Sequence, residues 1–128
     1  MAVKNFYRYN FQKNFEYDKR EEFKFKDGGK IYLDFKGKGF DLENKPKTFK
    51  PVIFFCIGLA SHSKTGNILD IVEHLVKGNE SDPNSSFDVV VINWRGLGGM
   101  KLQTPLFYCG SSTGDLLEPM EHIYKKYC

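Results

Sequence analysis

Between Val52 and Asn93 the chain reads as two continuous apolar runs separated by one amphipathic stretch, and no other feature constrains the fold as much. "VIFFCI", Val52 to Ile57, and "FDVVVIN", Phe87 to Asn93, carry β-branched and aromatic residues without alternation, as strands buried on both faces do. From about Thr65 to Lys77, Ile68, Val72, Leu75 and Val76 recur on one helical face. Ser63 or Thr65 can cap the start of that helix, and Gly78-Asn79 can close its end. Strand, helix and strand in so short a span predict a βαβ unit with parallel strands and a right-handed crossover.

The flanking segments complete the pattern. In "EEFKFKDGGKIYLDF", Phe23 and Phe25 alternate with lysines, Asp27-Gly28-Gly29 supplies a turn, and Ile31, Leu33 and Phe35 alternate on the return, which predicts a hairpin. A charged loop bracketed by Pro46 and Pro51 follows. After Asn93 a long glycine-punctuated loop leads to a last helix from Ser112 or Thr113 to Tyr127, with Ser112-x-x-Asp115 as a capping box. Leu116, Met120, Ile123, Tyr124 and Tyr127 share a face of that helix, and Pro119 either kinks it or marks its first turn. The fold class is α/β: an open, mostly parallel sheet, with an N-terminal antiparallel hairpin followed by a parallel βαβα unit. Residues 1–22 read as an arm whose aromatics pack on the domain formed by 23–128.

Composition removes several functions. At 128 residues the chain is one domain, and 41% apolar residues suffice for a core. Nineteen basic residues against 16 acidic ones, scattered along the chain, give a net charge of +3 and no nucleic-acid footprint. No apolar run has the length of a membrane helix, and the opening residues lack the apolar stretch of a secretory signal. Cys56, Cys109 and Cys128 are odd in number and widely spaced, which argues against a disulfide framework or a zinc site. Cys56 reads as a small buried hydrophobe. A reducing compartment, the cytoplasm, is expected, with no cofactor and no metal.

The loop "GLASHSKT", Gly58 to Thr65, follows the first apolar run. It differs from the phosphate-binding pattern G-x-x-x-x-G-K-[ST] at Ser63, whose Cβ disfavours the wrapped backbone that such a loop needs. The later strand ends in Asn93 rather than in an acidic magnesium ligand. The alternative is a turn at Gly58-Leu59 that aims a backbone N–H at developing negative charge. On this stretch alone, an ordinary strand–helix turn is the better reading.

The segment "NWRGLGGMKLQTPLFYCGSSTGDL" adds a specific resemblance. Asn93, Arg95, Gly96, Gly99, Leu102, Thr104, Pro105, Tyr108, Gly110 and Asp115 resemble the YheT-like esterase and lipase branch of the α/β-hydrolase superfamily. Upstream, Asp27, Gly28, Gly29, Leu33 and Asp34 resemble that family's hairpin, and "PVIFFCIGL" its strand and oxyanion loop. The resemblance runs in order over about residues 17 to 128. Two departures stand out: Ala60-Ser61-His62-Ser63 replace a more glycine-rich loop, and Met100 stands where a small polar residue is common.

The resemblance implies a serine-dependent carboxylic-ester or lipid hydrolase, of acylglycerol-lipase or short-chain-carboxylesterase type. The backbone N–H of Leu59 would serve the oxyanion hole, supported by Gly58, Asn93, Arg95, Gly96 and Asp115. The one G-x-S-x-G string, Gly110-Ser111-Ser112-Thr113-Gly114, ends the long glycine-punctuated loop and does not follow a strand into a helix as a nucleophile elbow does, so the expectation is an N-terminal part that is inactive alone. His62 reads as an exposed loop residue, His74 and His122 as helix surface, and Cys109 as a packing residue. Eukaryotic members often carry an N-terminal anchor, which this chain does not show, so membrane attachment is not carried over. The strand at Val52–Ile57 should form an unpaired sheet edge open to self-association. Two alternatives stand beside this reading: a small nucleotide-binding module using Gly58 to Thr65, and a non-catalytic interaction protein that pairs through the sheet edge.

Overall fold

A computed structural model describes residues 15–48, 50–58, 60–82, 84–107 and 112–128. Strands β1 (Lys19–Lys24) and β2 (Lys30–Lys36) form the expected hairpin, in antiparallel register from Lys19 opposite Phe35 to Lys24 opposite Lys30. Gly28 turns it at φ 91°, a conformation natural to glycine. The Gly29 N–H donates to the Asp27 carboxylate at 2.8 Å and fixes the turn. β1 starts at Lys19, four residues before the alternation at Phe23 becomes legible.

Strand β3 (Val52–Cys56), helix α1 (Gly66–Lys77), strand β4 (Asp88–Asn93) and helix α2 (Gly114–Tyr127) follow, after a short 3-10 turn at Lys38–Phe40. The four strands lie in the order β1-β2-β4-β3. β3 and β4 are parallel neighbours, as a βαβ unit requires. β2 pairs antiparallel with β4, so the sheet is mixed where the sequence suggested mostly parallel.

The period of two along each strand assigns the faces. Leu33 and Phe35 of β2 stand opposite Ile92 and Val90 of β4, while Tyr32 and Asp34 stand opposite Asn93 and Val91. Helix α2 covers the Phe35 face: the Tyr127 ring lies 5.4 Å from Phe35 and 5.3 Å from Phe40. The loop entering α1 lies on the Asp34 face, where the Ser63 hydroxyl reaches that carboxylate. All six residues of β4 are buried, as its unbroken apolar run predicts.

Three expectations change. β3 is only half-buried and ends in an exposed Cys56, because among the described residues it pairs on one side only, the edge position the resemblance implied; Cys56 is therefore not a core residue. The buried face of α2 is Asp115, Pro119, Ile123 and Tyr127, whereas Met120 and Tyr124 are exposed. Pro119 lies inside that helix and starts no new one. At α1, Thr65 is the capping residue by position but its side chain does not cap; its hydroxyl accepts the His62 N–H instead. Gly78, at φ 64°, closes α1 as expected.

Candidate functional site

Two polar junctions tie the loops at the carboxyl ends of β3 and β4 to the hairpin. The first is centred on Asp34, which is 1% exposed. Arg20 grips its carboxylate through Nε at 2.7 Å and Nη2 at 2.8 Å. The Ser63 hydroxyl donates to it at 2.5 Å and Asn93 Nδ2 at 2.9 Å. Burial pushes the Asp34 carboxyl up, but the bonds from Arg20, Ser63 and Asn93 outweigh it and hold Asp34 below the usual carboxylate range.

Asn93, the last residue of β4, completes a ring. Its Oδ1 accepts the Ser63 N–H at 2.8 Å, and its amide nitrogen also donates to the Tyr32 carbonyl at 3.2 Å. The Tyr17 hydroxyl donates to the Ser63 carbonyl at 2.6 Å. Burial first, then the Asp34 charge, keep that phenol protonated far above its ordinary range. Arg20 also reaches the Gly98 carbonyl at 3.3 Å. Gly98 (φ 66°) passes so close to Asn93 that a Cβ there would sit 2.6 Å from its side chain.

The second junction is centred on Arg95, 4% exposed. Its Nε and Nη2 donate to Asp115 at 2.8 and 2.9 Å, and its Nη1 and Nη2 donate to Asp27 at 3.1 and 2.8 Å. The guanidinium lies 4.0 Å from the centre of the Phe25 ring, a favourable cation–π placement. Arg95, with the Gly29 N–H in support, holds Asp27 below its ordinary value. A side chain at Gly29 would collide with Arg95, at 1.9 Å from Nη1. Asp115 opens α2, but its carboxylate serves Arg95 in place of the expected capping box.

The expected site residues therefore divide. Asn93, Arg95 and Asp115 meet the hairpin at these two junctions. Gly96 (φ 75°) sits beneath Leu102 and Phe107, each 3.0 Å from where its Cβ would be. Gly58 is exposed, and a Cβ added there meets nothing within 4 Å; among the described residues of the loop the left-handed one is Ala60, at φ 59°. Leu59, Tyr108, Cys109 and Gly110 lie outside the described residues. His62 and His74 are exposed and His122 is partly so, beside Phe23 and Glu21. An open cleft of about 770 Å³ runs along the loop, lined by Tyr17, Lys19, Arg20, Asp34, His62 and Lys64 among others. Glu16 and Asp18 also line it, so the cleft has no single sign of charge to draw in a phosphate.

Comparison with known proteins agrees with this frame. The chain is 33% identical over 113 residues to Phospholipase ABHD3 from Bos taurus, Homo sapiens and Mus musculus. That similarity supports the α/β-hydrolase superfamily. The matched segment is 85% of this chain and 25% of each relative, so the chain spans about a quarter of the length of the curated relatives it matches. No family model matches the chain, and no solved structure does.

Sequence reasoning gave no role to Arg20 or Trp94 and gave Ser63 only that of a helix cap, whereas its hydroxyl goes to Asp34. Ser63 was visible as a residue in a glycine's place, yet its buried partners on β2 and β4 lie 29 and 30 residues away. Arg20 stands in the unbroken charged run Asp18 to Glu22, which looks solvated. The Trp94 indole donates to the Ile57 carbonyl at 2.7 Å and joins the ends of β4 and β3.

Proposed function

We propose that this chain is the N-terminal portion of a serine-dependent carboxylic-ester or lipid hydrolase, of acylglycerol-lipase or short-chain-carboxylesterase type, resembling the YheT-like branch. The observation that carries the reading is the 113-residue similarity to a protein named a phospholipase. The sheet order supports it. Among the described residues β3 has an open edge, and it runs into the loop Gly58 to Thr65, so one more parallel strand beside β3 would bring a nucleophile next to that loop. In this reading the Leu59 amide is one oxyanion donor, and Asn93, Arg95, Gly96 and Asp115 hold the surrounding loops. A serine supplied by the rest of the protein attacks the ester carbonyl. The tetrahedral oxyanion is held by backbone N–H groups, the alcohol leaves, and water releases the acid.

Alone, the chain should not hydrolyse p-nitrophenyl butyrate, since its one G-x-S-x-G string, Gly110 to Gly114, lies well past the end of β4 and follows no strand among the described residues; serine-dependent turnover by the purified chain would overturn this division of labour. A G-x-S-x-G in the coding sequence shortly past Cys128 is the second expected result, and a stop codon in its place would count against the reading. The ester or lipid is the partner proposed for the whole protein, in the cytoplasm and without a cofactor. Among the described residues no helix is long and apolar enough to cross a membrane.

The open edge of β3 also supports self-association of the isolated chain. Sedimentation at micromolar concentration should show concentration-dependent species, and a monomer throughout would reject it. The nucleotide-binding alternative finds less support, since the Ser63 amide and hydroxyl are both spent inside the protein. Tight binding of ATP with magnesium, lost in Lys64→Ala, would reinstate it.

A further inference from the structure

We infer that Ser63 is the positioning residue of the loop between β3 and α1, fastening Ala60 to Thr65 onto the sheet so that the loop's shape is set before any ligand arrives. Its catalytic meaning rests on the hydrolase reading above, in which amides held in place contribute more than amides that must reorganise. The positioning itself is a property of this chain.

Three observations carry it. Ser63 is fully buried, and each of its polar groups goes to a different part of the fold. The hydroxyl donates to Asp34 on β2, the N–H to Asn93 at the end of β4, and the carbonyl accepts from Tyr17 ahead of β1. The acceptor is itself held still, because Asp34 is gripped by Arg20 and Asn93. A network with every member satisfied is rigid.

The third observation is three residues upstream. Ala60 sits at φ 59°, a left-handed conformation that a residue with a Cβ keeps only where its surroundings impose it. The turn around it is closed by a long 3.2 Å bond from the Ser61 N–H to the Gly58 carbonyl. Gly58 is exposed, with open space where a Cβ would be. Ala60 thus spans two anchors, Ile57 upstream, whose carbonyl takes the Trp94 indole, and Ser63 downstream, the more heavily tied of the two, stapled to β2, β4 and the segment ahead of β1.

Amide hydrogen exchange on the chain tests this, together with a double-mutant cycle. In Ser63→Ala the amides of Ala60 to Lys64 should exchange about 10-fold faster, relative to Leu33 and Val91 in the sheet. Ala60→Gly should raise the urea midpoint of the wild-type chain by relieving the left-handed strain. It should not do so in the Ser63→Ala background, where a released loop lets Ala60 relax. A serine that only stabilises the fold would speed all amides alike and make the two substitutions additive, and that result overturns the inference. If Ser63→Ala does not fold, Tyr17→Phe removes one of the three ties and should speed the same loop amides; unchanged exchange there also overturns it. A downstream sequence lacking a nucleophile elbow would sink the hydrolase reading and leave these exchange results standing.

Discussion

The two junctions at the carboxyl ends of β3 and β4 have opposite polarity. At the first, one buried carboxylate, Asp34, receives an arginine and two neutral donors. At the second, one buried guanidinium, Arg95, is shared by two carboxylates and an aromatic face. The Asp34 junction joins strands to a loop, and the Arg95 junction joins the hairpin turn to the start of α2. Neutral partners at the first leave it tolerant of losing one bond. At the second every partner is charged or aromatic, so the central cation has no substitute.

Arg95→Met should therefore be the most damaging change. It strands Asp115, which is 6% exposed, and should cost about 3–5 kcal/mol in urea denaturation; a cost under about 1 kcal/mol would erase the contrast between the junctions. Asp34→Ala comes next, at about 2–3 kcal/mol, since Ser63 and Asn93 lose an acceptor while Arg20 can turn to water. Asp27→Asn touches the half-exposed limb of the Arg95 junction, where the Asp27 side chain is 38% exposed. Its cost should be below about 1 kcal/mol and fade at high salt, whereas that of Asp34→Ala should be salt-insensitive.

The smallest expected effect has the opposite sign. Asp88 is a third buried carboxylate, 4% exposed, with no ion pair among the described residues. It is wedged against Gly37 and Gly39, where added Cβ atoms would lie 2.1 and 2.2 Å from its oxygens. Burial pushes its carboxyl up, against the pull of Lys50 and the Gly39 N–H. A raised folded value penalises the ionised form, so Asp88→Asn should stabilise the chain at pH 7 by up to about 1 kcal/mol. That gain should shrink as pH falls toward about 4, where Asp88 protonates in both states. Asp34 and Asp27 work the other way. Their folded values are depressed, so their stabilisation is present above an unfolded value of about 4 and is lost as pH drops through the folded ones. Thermal melts at pH 7, 5 and 3 should separate the two behaviours.

Much of the fold was legible in the residues. The hairpin turn, the apolar β4 and the ends of α1 follow from glycine placement and periodicity, which are local properties. The errors arose where a distant charge decided the outcome. Apolar spacing put Leu116, Met120 and Tyr124 on the buried side of α2, but Arg95 draws Asp115 inward and the buried stripe turns with it. The unbroken run in β3 suggested two covered faces, while the edge position that leaves it half-buried came from the family resemblance and not from "VIFFC" itself. At the site, the motif located Asn93, Arg95 and Asp115 but not what they do. Ser63 looked like a defect in one loop pattern because its purpose lies on strands far away in sequence.

The indole bond between Trp94 and the Ile57 carbonyl has a practical consequence. Trp94 is the sole tryptophan of the chain, and it sits 7% exposed at the point where β3 gives way to its loop. Its emission colour is thus an optical gauge placed at that hinge. Any ligand, substitution or pH jump that frees the strand end should shift the emission toward red in an ordinary fluorimeter, with no dye attached.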